Sequence, residues 1–225
     1  MNRLKVTVLG AALLALPVIA PAQTLNFDDL STSPPSATDP YCPVPLLPPG
    51  YHGFNWDNFY VIKGSQYFDP YLNLNTYCIG PSGYNTGVVS KENVAFNGYG
   101  DPASVSSANP FTFNSVYMTA AWNNGLNVEV DGYHGATLLY QQFLVVNTYG
   151  PTLEVFNWTG VDKVLFTSTG GILQQGYFGG GTNFVLDNLT VSNVTPEPAT
   201  LLLLGTGLAG IGGVMRRRHR KRIES

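Results

Sequence analysis

Two short acidic segments at opposite ends of the chain carry the clearest chemical signal. In Leu25-Asn26-Phe27-Asp28-Asp29 and in Val185-Leu186-Asp187-Asn188-Leu189, Asp29 and Asp187 share the parity of their apolar neighbours. A carboxylate on an inward-looking face needs a partner, because an isolated buried charge is expensive. Calcium is one such partner, since it gathers about six to eight oxygens from carboxylates, Asn side chains and carbonyls. Asp28, Asp29, Asp187 and Asn188 are therefore candidate calcium ligands. The competing reading is that these acids accept backbone N–H groups in turns or bulges.

A second chemistry is glycan stacking. The chain holds thirteen Tyr, twelve Phe and three Trp, more than a core requires, and a Tyr or Trp face with Asn or Asp beside it suits a sugar ring. The Tyr-, Asn- and Gly-rich segment 67–85 supplies the candidates Tyr67, Tyr71, Tyr77 and Tyr84. Trp56 and Trp122 sit in strand-like runs and are read as buried.

Catalytic signals are thin. Tyr-His-Gly occurs twice, at Tyr51-His52-Gly53 and Tyr133-His134-Gly135, but neither H-E-x-x-H nor G-x-S-x-G is present. Twelve acids between residues 23 and 195 offer no spacing that singles out a pair for glycoside hydrolysis. The chain is read as non-catalytic, with a polysaccharide hydrolase as the distant alternative. The two cysteines, Cys42 and Cys78, are 36 residues apart. An oxidising compartment favours one disulfide between them, contributing about 3 to 4 kcal/mol by loop closure; two free thiols are the alternative.

Short aromatic and β-branched runs, punctuated by Gly, Pro, Asn and Ser, must position these residues. They predict strands over 24–30, 54–63, 88–96, 111–122, 127–133, 137–147, 152–157, 163–168 and 183–192, and no amphipathic helix between them. Leu126, Val128 and Val130 share one side of such a strand while Asn127, Glu129 and Asp131 share the other. The expected fold class is all-β: a two-sheet antiparallel β-sandwich of the jelly-roll type, with an immunoglobulin-like sandwich second. Prolines between Pro34 and Pro49 mark an extended surface loop.

The ends belong to other environments. Residues 1–22 have the basic front, apolar middle and Ala20-Pro21-Ala22 ending of a secretory signal peptide. The ectodomain spans 23–194. Residues 195–225 hold Pro196-Glu197-Pro198, an uncharged apolar run over 199–215 and the basic tail 216–222, including Arg216, Arg217 and Arg218. The run is just long enough to cross a bilayer, and the basic tail keeps its far end cytoplasmic. Between these ends three lysines face twelve acids, so the ectodomain carries about nine negative charges although the whole chain carries −3. Such a surface repels phosphate backbones and excludes nucleic acid as a partner.

The tripeptide, apolar run and arginine-rich end, in that order, resemble the PEP-CTERM sorting signal of Gram-negative bacteria. The resemblance implies recognition by exosortase, a membrane-embedded protease or transpeptidase, membrane attachment through the C-terminal helix before processing, and a destination at the cell surface or in the exopolysaccharide matrix. Asn55 to Tyr60, Pro81 to Ser90, Asn93 to Asn97, Thr119 to Asn123 and Phe184 to Val191 resemble the ectodomains of a recurrent group of such proteins with no assigned activity. The acid of the first strand and Asp187 of the last resemble the calcium-stabilised jelly rolls of carbohydrate-binding modules, which implies a structural calcium ion and, as the alternative function, a glycan binder.

Overall fold

The computed structural model describes residues 21–32, 44–66 and 80–193. The predicted signal peptide, membrane helix and basic tail, the Pro196-Glu197-Pro198 tripeptide, Cys42, Cys78, Tyr67, Tyr71 and Tyr77 lie outside them. Among the described residues no helix is long and apolar enough to cross a membrane.

Nine strands and one short helix account for the fold: β1 (Gln23–Leu25), β2 (Asn55–Asp57), β3 (Phe59–Lys63), α1 (Gly83–Thr86), β4 (Asn93–Asn97), β5 (Ala103–Ala120), β6 (Asn123–His134), β7 (Thr137–Val146), β8 (Thr152–Leu173) and β9 (Phe184–Asn193). All named pairings are antiparallel. The all-β expectation holds, and the two layers are stitched together by two long strands. The first half of β5 pairs with β2 and with the second half of β8, which also pairs with β6, and β7 closes this layer. The second half of β5 pairs with the first half of β8 and with β9, whose other edge is shared by β4 and β1, and β3 follows β4.

The sequence provides the bends that let β5 and β8 pass from layer to layer. Around Pro110, which has no N–H for the ladder, β5 slips register between Ser106 and Phe111 and twice more before Ser115. In β8 the break falls at Asn157 and Gly160, both at positive φ (53° and 76°). Those two residues made the sequence read as separate strands, 152–157 and 163–168; they are corners in one strand of 22 residues.

The inner faces meet in a single core. Phe166 of the first layer lies edge-on to Phe59 and Phe113 of the second, with centroids 6.0 and 6.1 Å apart, and 5.6 Å from Phe184. Leu126, Val128 and Val130 are buried as their alternation requires, while Asn127, Glu129 and Asp131 face outward. The outer face of the second layer is covered as well. Ile62, Val94, Phe96 and Val185 pack under Tyr84 of α1 and Trp122 in a smaller apolar cluster.

Several strand limits differ from those expected, and the run 54–63 divides at Asn58, at φ 54°, into β2 and β3, which pair with different strands. The first strand stops at Leu25 because Phe27 adopts positive φ (62°). Residues 88–92 form a loop instead of the start of β4, and the strand expected to begin at Phe111 begins at Ala103. The four-residue helix α1 was not expected. Gly83 makes it possible: a Cβ there would collide with the Ala120 carbonyl, and its own N–H donates to the Ala121 carbonyl at 2.8 Å.

Candidate functional site

The acids singled out from the sequence are anchors for one loop. Asp187, fully buried in β9, accepts the Val89 and Ser90 N–H groups on Oδ2 at 2.7 and 2.8 Å, and the Asn188 N–H and Ser90 Oγ–H on Oδ1 at 2.7 and 3.0 Å. Burial pushes its carboxyl above the usual carboxylate range, while these hydrogen bonds pull the other way. Asn188 follows at φ 49°, where β9 carries an extra residue against β5. Asn tolerates that left-handed conformation better than most residues. Asp28 takes the next part of the same loop, accepting the Glu92 and Asn93 N–H groups at 3.0 Å each.

This donor set does not fit a calcium ion at Asp187 and Asn188. Calcium needs converging oxygens, and Asp187 is instead ringed by N–H and O–H groups. Among the described residues no three His, Cys, Asp or Glu side chains cluster as metal ligands. Asp28 Oδ2 is the one buried carboxylate oxygen there without a hydrogen-bond partner. Asp29 points elsewhere: its oxygens accept Tyr51 Oη–H at 2.6 Å and His52 Nε2–H at 3.2 Å. Gln23 donates its amide to His52 Nδ1 at 2.7 Å, which leaves the ring proton on Nε2, facing Asp29. The Tyr51 hydrogen bond draws the exposed Asp29 carboxyl below its ordinary value.

Both Tyr-His-Gly tripeptides thus place a histidine beside an aspartate. His134 Nδ1 lies 3.4 Å from Asp162 Oδ2, which also accepts the Gly135 N–H at 2.7 Å in the β6–β7 turn. On the outer face of the first layer, Gln141 donates to Glu129 at 2.7 Å and to Asp131 at 3.1 Å, bridging the two carboxylates.

Of the proposed stacking residues, Tyr84 is a correction. Its ring is buried, 5.4 Å from Trp122 and 4.9 Å from Phe96, and offers no face to a sugar. Trp122 is buried, as read from the sequence, and Trp56 is half-buried.

A different group assembles above Trp122, at the end of the sandwich where β5 turns into β6, β7 into β8 and β8 into β9. The segments around these turns, 121–125 (with the first residues of β6), 147–151 and 174–183, contain no charged residue, in a domain of three lysines and twelve acids. Asn124 is the hub. Its Oδ1 accepts Thr148 N–H and Oγ1–H at 2.9 and 2.7 Å, and its Nδ2 donates to Tyr149 Oη at 2.9 Å and to Gln174 Oε1. Asn147 Oδ1 accepts the Gly125 N–H at 3.0 Å, and Tyr177 donates to the Thr148 carbonyl at 3.4 Å. Gly179 lies flat on the Trp122 indole, where any Cβ would enter the ring. The backbone is therefore fixed while two rings remain open: Tyr149 is 74% exposed and Phe178 85%. The exposed rings can offer faces to the CH side of an uncharged sugar, while the Asn124 amide, with two bonds accepted on Oδ1 and two donated from Nδ2, orders the loops that carry them. Sequence reading passed over Tyr149 because Asn147-Thr148-Tyr149-Gly150-Pro151 reads as a turn; the available signal was that all three turns are uncharged.

Solved structures similar to this chain include two DUF4465 family proteins. The one from Bacteroides caccae is 11% identical, with 77% of this chain and 99% of that one covered at TM-score 0.50. The one from Bacteroides ovatus is 12% identical over 77% and 99%, at TM-score 0.48. A third, TmCBM61 in complex with β-1,4-galactotriose, is 8% identical over 65% of this chain and 94% of that one, at TM-score 0.31. At 11% identity, the likeness to the Bacteroides caccae protein speaks to the fold alone. No curated protein matches the sequence. Residues 194–218 match the PEP-CTERM protein-sorting motif, the signal of an exported, membrane-anchored precursor that exosortase recognises and that is bound for the surface or the extracellular space.

Proposed function

We propose that the ectodomain is a non-catalytic component of the extracellular polysaccharide matrix, and that it holds neutral glycan at the loop cluster around Asn124 and Tyr149. The observation that carries this reading is the Tyr149 ring, 74% exposed yet fixed by a 2.9 Å hydrogen bond from Asn124, within three uncharged loops. A pre-ordered ring loses little entropy on binding. An acidic polymer would be repelled by the net negative charge of the ectodomain, whereas a neutral one would not. The sorting motif, the signal of a precursor bound for the surface or the extracellular space, supports this reading.

Binding to a neutral oligosaccharide array and to the exporting cell's exopolysaccharide tests the reading. Tyr149→Ala is expected to weaken binding at least tenfold, about 1.4 kcal/mol, with an unchanged melt. Folded protein that binds no glycan contradicts it. Glu129 and Asp131, bridged by one Gln141 amide, stand within about 6 Å of each other, near the separation used by retaining glycosidases. Release of reducing ends from a bound glycan would replace the non-catalytic reading with hydrolysis.

A further inference from the structure

We infer that β7 is a self-association edge, pairing antiparallel with β7 of a second copy of this chain about a two-fold axis through Phe143. This rests on the edge itself and is independent of glycan binding. An edge strand presents unpaired N–H and C=O groups, and stable proteins blunt it with brevity, charge, Pro, bulges or a covering segment.

The other edges of the sandwich carry such devices. β2 has three residues. β3 is covered by an extended segment, with Leu47 N–H donating to the Phe59 carbonyl at 2.8 Å and Val61 N–H to the Pro45 carbonyl at 3.0 Å. The free stretch of β8 begins after Pro151, contains Glu154 and is broken at Asn157. β7 is ten residues long, Thr-Leu-Leu-Tyr-Gln-Gln-Phe-Leu-Val-Val, without a charge, Pro or Gly. Among the described residues it pairs with β6 alone. Its single irregularity lies next to the hairpin turn, so Tyr140 to Val146 run in unbroken register.

The occupant follows from symmetry and charge. The regular stretch has Phe143 at its midpoint. Full overlap with a second copy therefore sets Phe143 against Phe143, Gln141 against Val145 and Tyr140 against Val146. Phe143 and Val145 are 70% and 62% exposed on the outer face, and aromatic pairs across strands stabilise a sheet. The ectodomain is strongly acidic, and most surfaces would repel a second copy. At this edge the nearest acids, Glu129 and Asp131 on β6, have backbones three strand spacings from those of their counterparts, about 14 Å, and both carboxylates are held by the Gln141 amide. That separation exceeds the Debye length of about 8 Å at physiological salt, so their repulsion is largely screened. The dimer would join two five-strand layers into one continuous sheet.

Charge reversal at the axis tests this on the full-length chain, with mass measured by light scattering in mild detergent. Wild type is expected to be dimeric. Phe143→Lys and Phe143→Glu each place like charges opposite one another and are expected to weaken dimerisation at least tenfold, while an equimolar mixture of the two restores a dimer. Circular dichroism checks that each variant is folded. A monomeric wild type, variants that dimerise like wild type, or a mixture that stays monomeric overturns the inference. Association through the C-terminal apolar run would be common to all variants and would show as unchanged mass.

Discussion

Asp187 shows how a residue can be read correctly for its need and incorrectly for its partner. Its parity with Val185 and Leu189 marked an acid that must be compensated, and the compensation is a ring of donors from Val89, Ser90 and Asn188. No local pattern links Asp187 to a loop 97 residues away in sequence. Asp187→Asn turns one acceptor into an N–H2 group facing N–H donors, and is expected to cost about 2 to 4 kcal/mol by denaturant titration. The same protein melted with and without chelator is expected to show one melting temperature; a drop would place an ion at the Asp28 end of the loop. Asp29 gives the pH signature. Its folded pKa lies below the ordinary 3.8, so its contribution to stability is present above that value and is lost as pH falls through the folded pKa. The stability gap between wild type and Asp29→Ala is therefore expected to be larger at neutral pH than below pH 3.8; a gap that widens in acid would contradict the assignment.

Among the elements, alternation was the most informative part of the sequence. It gave β7 and β9 nearly to the residue and the centre of β6, whose first four residues it missed. It misread β8, where Asn157 and Gly160 look like turn residues and act as bends. It also missed α1, four residues held by contact with the end of β5 more than by helix propensity. The loop cluster was not legible for a related reason: three uncharged turns distant in sequence become neighbours only once the strands bring their ends together. Gly179 is the test at this scale. Gly179→Ala drives a methyl into the Trp122 ring, and is expected to undock segment 174–183. Measured in a Trp56→Phe, Trp158→Phe background, where Trp122 is the remaining tryptophan, fluorescence should shift red with the β-sheet signal intact; an unchanged spectrum would show that the contact is loose.

For the whole molecule, address and domain are separate statements made by separate parts of the chain. The sorting motif at 194–218 states the destination, and the sandwich upstream carries two candidate surfaces. One is the uncharged loop end, where Asn124 holds Tyr149; the other is the unblunted β7 edge. On the function proposed above, the first would hold neutral polysaccharide and the second would link copies of the chain. The direct measurement is calorimetric titration of neutral exopolysaccharide fragments into wild type and Tyr149→Ala. Saturable binding by wild type, weakened at least tenfold in the variant, is the predicted result, and equal binding by both, or none by folded wild type, would contradict it.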